Sequence, residues 1–103
     1  MKLFSRTVGT TGTPIIILHG IFGTSDNWLG IAKAFAETNR VFLLDQRNHG
    51  QSPWSEEFDY QVMAADLMEF IEDHALENPI IIGHSMGGKT VMQFGLNYPG
   101  IAQ

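Results

Sequence analysis

Three short stretches of unbroken apolar side chains, at residues 15–18, 41–44 and 80–82, set the limits on how this chain can fold. Each is too short for a helix that buries one stripe, and none shows the alternation of a strand with one wet face. Such runs suit parallel strands covered on both sides. Between them the spacing turns helical. Trp28, Leu29, Ala32, Phe35 and Ala36 share one face, with Ser25, Asp26 or Asn27 available as cap. Met63, Leu67, Phe70, Ile71 and His74 share another, opened by Asp59 as candidate N-cap. A last helix runs to about Tyr98 and is stopped by Pro99-Gly100, and residues 2–8 are a candidate opening strand. Buried strands alternating with helices predict an α/β domain, a mostly parallel sheet flanked by helices. In such sheets chemistry gathers at the carboxyl ends of the strands.

Composition narrows the function. A chain of 103 residues suits one domain. The net charge is -5, and the six bases (Lys2, Arg6, Lys33, Arg40, Arg47 and Lys89) are scattered, so no stripe exists to follow a nucleic-acid backbone. Cysteine is absent, which removes disulfides and thiolate metal sites, and no two histidines have metal-ligand spacing on a helix. Neither a metal nor a cofactor is expected. The first residues lack the apolar core of a signal peptide, and no apolar run nears the ~20 residues of a membrane span. The expectation is a cytoplasmic protein with no membrane partner.

The third apolar run leads directly into Gly83-His84-Ser85-Met86-Gly87, a G-x-S-x-G turn between strand and helix. This is the context of a nucleophile elbow. A reversal that tight holds the serine in strain, and flanking side chains would collide, so both flanks are glycine. Ser85 is therefore the candidate nucleophile. The same residues, extended to Gly88-Lys89-Thr90, also satisfy G-x-x-x-x-G-K-[ST], the phosphate-cradling loop of P-loop nucleotide-binding proteins. Residues 41–45 even resemble the strand whose terminal Asp holds Mg²⁺, but they precede the loop instead of following it.

The other two strand ends favour the hydrolase. Residues 15–18 deliver His19-Gly20-Ile21-Phe22-Gly23 to the same edge. Acyl transfer needs two N–H donors aimed at the developing oxyanion. One is expected from Met86, after the nucleophile, and the other from Ile21, chosen over Phe22, in this loop. Phe22 is expected to line the acyl pocket, and His19 to fix the loop. Residues 41–44 end at Asp45-Gln46-Arg47-Asn48-His49-Gly50-Gln51-Ser52, in which Asp45, Arg47 and His49 are expected to form a hydrogen-bonded structural cluster. His84 is not expected to deprotonate Ser85. Met63, Met68, Met86 and Met92 suit filling of core gaps.

Taken in order, H-G-x-x-G, D-x-R-x-H-G-x-S and G-H-S-M-G-G resemble the α/β-hydrolase superfamily, most closely its small bacterial carboxylesterases, over residues 14–99. The resemblance implies hydrolysis of a small carboxylic ester through an acyl-enzyme at Ser85, without a cofactor. It also implies a triad in the order Ser, acid, His. No Asp, Glu or His follows Ser85. The chain is thus expected to be the N-terminal half of an α/β-hydrolase fold, residues 1–103 forming one partial domain. Its expected partner is the missing C-terminal half, or a second copy through self-association. A non-catalytic binding module on a hydrolase scaffold is the remaining alternative.

Overall fold

The computed structural model describes residues 1–20 and 28–102. Among these residues four strands form one sheet: β1 (Ser5–Val8), β2 (Pro14–Leu18), β3 (Arg40–Leu44) and β4 (Ile80–Gly83). Three α-helices alternate with them: α1 (Leu29–Phe35), α2 (Tyr60–Asp73) and α3 (Met86–Asn97). The strand order is β1-β3-β2-β4, with β2 parallel to both β3 and β4 and only β1 antiparallel. The expected α/β class with a mostly parallel sheet is what the chain adopts.

The apolar runs lack alternation because both faces of the sheet are covered. Ile15, Ile17, Val41 and Leu43 point to one side and pack with Ala32 of α1. Ile16, Leu18, Phe42 and Leu44 point to the other, against Ala64, Leu67, Phe70 and Ile71 of α2 and Phe94 of α3. Fully burying one such side chain contributes roughly 1.5–3 kcal/mol, so β2 and β3 anchor the domain. Helix α2 begins where the sequence indicated: Asp59 is extended, and its carboxylate accepts the Val62 N–H at 2.8 Å. His74 ends the helix as its exposed C-cap, its ring stacked on Phe70 at 4.1 Å between centroids.

Two expectations need correction. Met92 is 71% exposed, pointing off α3 with Leu96, and does not fill the core. Trp28, not one of the polar residues before it, occupies the N-cap position of α1 and makes no side-chain cap bond. The candidate caps Ser25, Asp26 and Asn27 lie outside the described residues. Strand β4 stands at the edge of the described sheet, its three isoleucines only half-buried. No helix among the described residues is long and apolar enough to cross a membrane.

Candidate active site

Ser85 sits between β4 and α3 with φ 55° and ψ -111°. A positive φ is uncommon for a residue with a Cβ, and this ψ lies away from the small left-handed well that such residues otherwise use. The conformation is strained, at a cost of order 1–3 kcal/mol. Its flanks show what enforces it. A Cβ on Gly83 would overlap the Gly87 carbonyl, closing the turn on itself. A Cβ on Gly87 would overlap the carbonyls of Leu18 and His19, because the first turn of α3 presses against the end of β2. The glycines are thus required for two different contacts, one within the turn and one with the neighbouring strand.

The turn presents the serine outward. Ser85 is exposed, its carbonyl accepts the Lys89 N–H at 3.1 Å, and its hydroxyl neither bonds to any described residue nor caps α3. It opens onto a cleft of about 320 Å³ lined by Phe58, Asp59, Tyr60, Met63, Met86 and Lys89. Sequence reasoning missed Phe58, Tyr60 and Lys89 as cleft residues; only the fold brings the start of α2 beside the start of α3. Met86 is buried and contributes the first amide of α3, next to Ser85. Ile21 and Phe22, expected as oxyanion donor and acyl-pocket residue, lie outside the described residues.

Gly20, the last described residue of the loop after β2, lies against Ser85. A Cβ there would stand 3.1 Å from His84 Nδ1 and 3.4 Å from Ser85 Cβ. His19, only 1% exposed, is held through both ring nitrogens. Its Nε2 accepts the Gln46 backbone N–H at 2.9 Å, which fixes the other nitrogen, Nδ1, as donor to the Gly20 carbonyl at 2.7 Å. Burial, the larger effect, pushes its pKa below 6.5, against the pull of the Gly20 bond. A neutral, fully bonded imidazole fixes its loop, as the sequence indicated.

The segment after β3 departs from the single cluster expected of Asp45, Arg47 and His49. Asp45 accepts the Gln51 N–H at 3.0 Å and, through its backbone carbonyl, the Ser52 hydroxyl. Arg47 turns away to a bidentate pair with Asp66 of α2, at 2.7 and 2.8 Å, and donates to the Glu57 carbonyl. The His49 ring bonds the Arg47 carbonyl and contacts the rings of His19 at 5.1 Å and Phe58 at 6.0 Å. Each side chain fastens a different part of the loop because the partners lie on different elements. Asp66 went unremarked in the sequence although it interrupts the apolar face of α2. A carboxylate in that position signals a buried cation partner.

Thr90 is fully buried, its hydroxyl 3.0 Å from Gln46 Oε1 and 3.2 Å from the Met86 carbonyl. A P-loop would need that hydroxyl facing a bound Mg²⁺. The nucleotide-binding alternative does not fit this geometry. Among the described residues no group of three or more His, Asp or Glu is placed to hold a metal ion.

Residues 13–102 match the family model described as alpha/beta hydrolase fold. The chain belongs to the α/β-hydrolase family. A solved α/β-hydrolase, a marine microorganism esterase, superposes with a TM-score of 0.97 at 49% identity, covering 99% of this chain and 39% of its own. The sn-1-specific diacylglycerol lipase of Xenopus laevis is 39% identical over 94 residues, 89% of this chain and 30% of its own length. A Saccharomyces cerevisiae protein named "Probable alcohol acetyltransferase" is 47% identical over 96 residues, 88% of this chain and 28% of its own. The chain spans about a third of the length of the curated relatives it matches, and its fold is accordingly part of an α/β-hydrolase fold.

Proposed function

We propose that residues 1–103 are the nucleophile-bearing part of an α/β-hydrolase domain that cleaves small carboxylic esters through an acyl-enzyme at Ser85. The observation that carries this is the strained Ser85 backbone at φ 55°, with an exposed hydroxyl bound to no described residue and opening onto a cleft. Strain of this kind clusters at active sites, and exposure leaves the hydroxyl open to a substrate. The Met86 amide, and that of Ile21, would receive the oxyanion. The triad acid and histidine would come from chain following residue 103, since a serine without a general base is a poor nucleophile. No cofactor enters this chemistry. The same acyl-enzyme serves transfer to an alcohol in place of water, a second reading favoured by the relative named as an acetyltransferase.

The test is turnover of short-chain aryl esters by the full-length protein. Ser85→Ala should lower kcat by on the order of 10⁴–10⁶-fold, as loss of a triad member does. Turnover that survives this substitution unchanged would remove Ser85 from the mechanism. Adding short alcohols separates the two readings: ester product in preference to acid indicates transfer.

A further inference from the structure

Gln46 occupies the junction of the three elements that surround Ser85, and every polar group it owns at that junction is engaged. Its backbone N–H donates to His19 Nε2 at 2.9 Å. Its side-chain Nε2 donates to the His19 carbonyl, also at 2.9 Å. Its Oε1 accepts from the Thr90 hydroxyl at 3.0 Å. Gln46 is 2% exposed, His19 1% and Thr90 0%, so these bonds form without competing water. One residue at the end of β3 thereby clasps the end of β2 twice and the second turn of α3 once.

The arrangement matters because the two sides it joins both touch the nucleophile. His19 leads into Gly20, which lies against Ser85 Cβ. Thr90 stands one helical turn after Met86, whose carbonyl also lies within reach of the Thr90 hydroxyl. A tetrahedral intermediate needs donors from both sides to converge on one oxygen, within a few tenths of an ångström of hydrogen-bond distance. Core packing alone fixes β2 against α3 through non-directional contacts. The Gln46 amide adds a directional gauge between them, accepting from one side and donating to the other.

We infer that Gln46 is a positioning residue for the acyl-transfer step, setting the distance between the loop after β2 and the first turn of α3 on either side of Ser85. The inference rests on Ser85 being the nucleophile. It assigns Gln46 no contact with substrate, so its loss should act on the transition state and spare substrate binding.

The experiment is steady-state ester hydrolysis by full-length wild type, Gln46→Met, Gln46→Glu, Thr90→Val and Thr90→Ser, with melting temperatures measured in parallel. Gln46→Met keeps the volume and loses both side-chain bonds; Gln46→Glu keeps the acceptor and, when ionised, loses the donor. Both should lower kcat by about tenfold to a hundredfold, the scale of a small misplacement at a reacting centre, with KM within about twofold. Thr90→Val should follow them, and Thr90→Ser, which restores the hydroxyl, should return most of kcat. Folded Gln46→Met with wild-type kcat would overturn the inference, as would a loss expressed in KM. Should the Gln46 variants not fold, equal kcat in Thr90→Val and Thr90→Ser would overturn it just as well. These failures leave Ser85 standing, whereas wild-type turnover that is indifferent to Ser85→Ala would remove the nucleophile reading and this inference with it.

Discussion

Two turns at the carboxyl edge of the sheet carry polar side chains and are built in opposite ways. After β3, Asn48 exchanges two hydrogen bonds with the Ser55 backbone, at 2.9 and 2.7 Å, while Arg47 pairs with Asp66 and the Asp45 carboxylate takes the Gln51 amide. Asn48 also has a positive φ, 65°, which asparagine tolerates better than most residues. After β4, the Ser85 hydroxyl has no partner among the described residues, and its backbone has no well that suits it. A segment whose side chains are all satisfied is holding the scaffold together. A segment that is strained, yet leaves its central hydroxyl unpaired, is what the proposed nucleophile requires.

Breaking the satisfied turn should cost the most stability. Asp66→Ala in the full-length protein leaves the Arg47 guanidinium buried and unpaired, with an expected loss of about 3–5 kcal/mol, read from the urea midpoint. Activity per folded molecule should survive, because Asp66 does not border the cleft. Breaking the strained turn should do the reverse in kind. Gly87→Val drives a side chain into the Leu18 and His19 carbonyls. Its stability cost should reach the ~3 kcal/mol upper end usual for overpacking, and the molecules that fold should be inactive. Wild-type activity and yield in Gly87→Val would break the contrast between the turns.

A subtler difference is pH. The folded His19 pKa lies below its ordinary 6.5, chiefly through burial, with His49 lowering it further and Asp45 pulling it up. On acidification the unfolded chain therefore takes up this proton first. The His19 contribution is complete above about pH 6.5 and is lost as pH falls through the folded value. Urea midpoints at pH 7.5 and pH 5 should differ more for wild type than for His19→Gln, and equal differences would contradict this. The smallest expected effect is at the start of α2. Asp59→Ala removes the cap bond to Val62 and should cost about 1 kcal/mol.

Much of this was legible in the sequence, for physical reasons that differ by element. Residues 15–18 and 41–44 announced strands because burial on both faces leaves no polar position, residues 80–82 by the same apolar run although they are only half-buried, and Asp59 announced a helix because a cap is a local interaction. Ser85 was legible because two flanking glycines have few other uses. The partners of Arg47, Gln46 and Thr90 were not legible. Each bond joins residues 19 to 44 positions apart, and nothing local distinguishes a buried glutamine or threonine from an exposed one. Met92 was misjudged for the same reason: methionine reads as core until the fold shows which way its helix faces.

An active-serine phosphonate reagent on the full-length protein, followed by peptide mass mapping, reads directly whether Ser85 is a nucleophile. The expected result is one stoichiometric adduct on Ser85, and none in a folded Ser85→Ala variant. Labelling of another residue at wild-type rate in Ser85→Ala, or no adduct on Ser85 in a protein that hydrolyses esters, would contradict it.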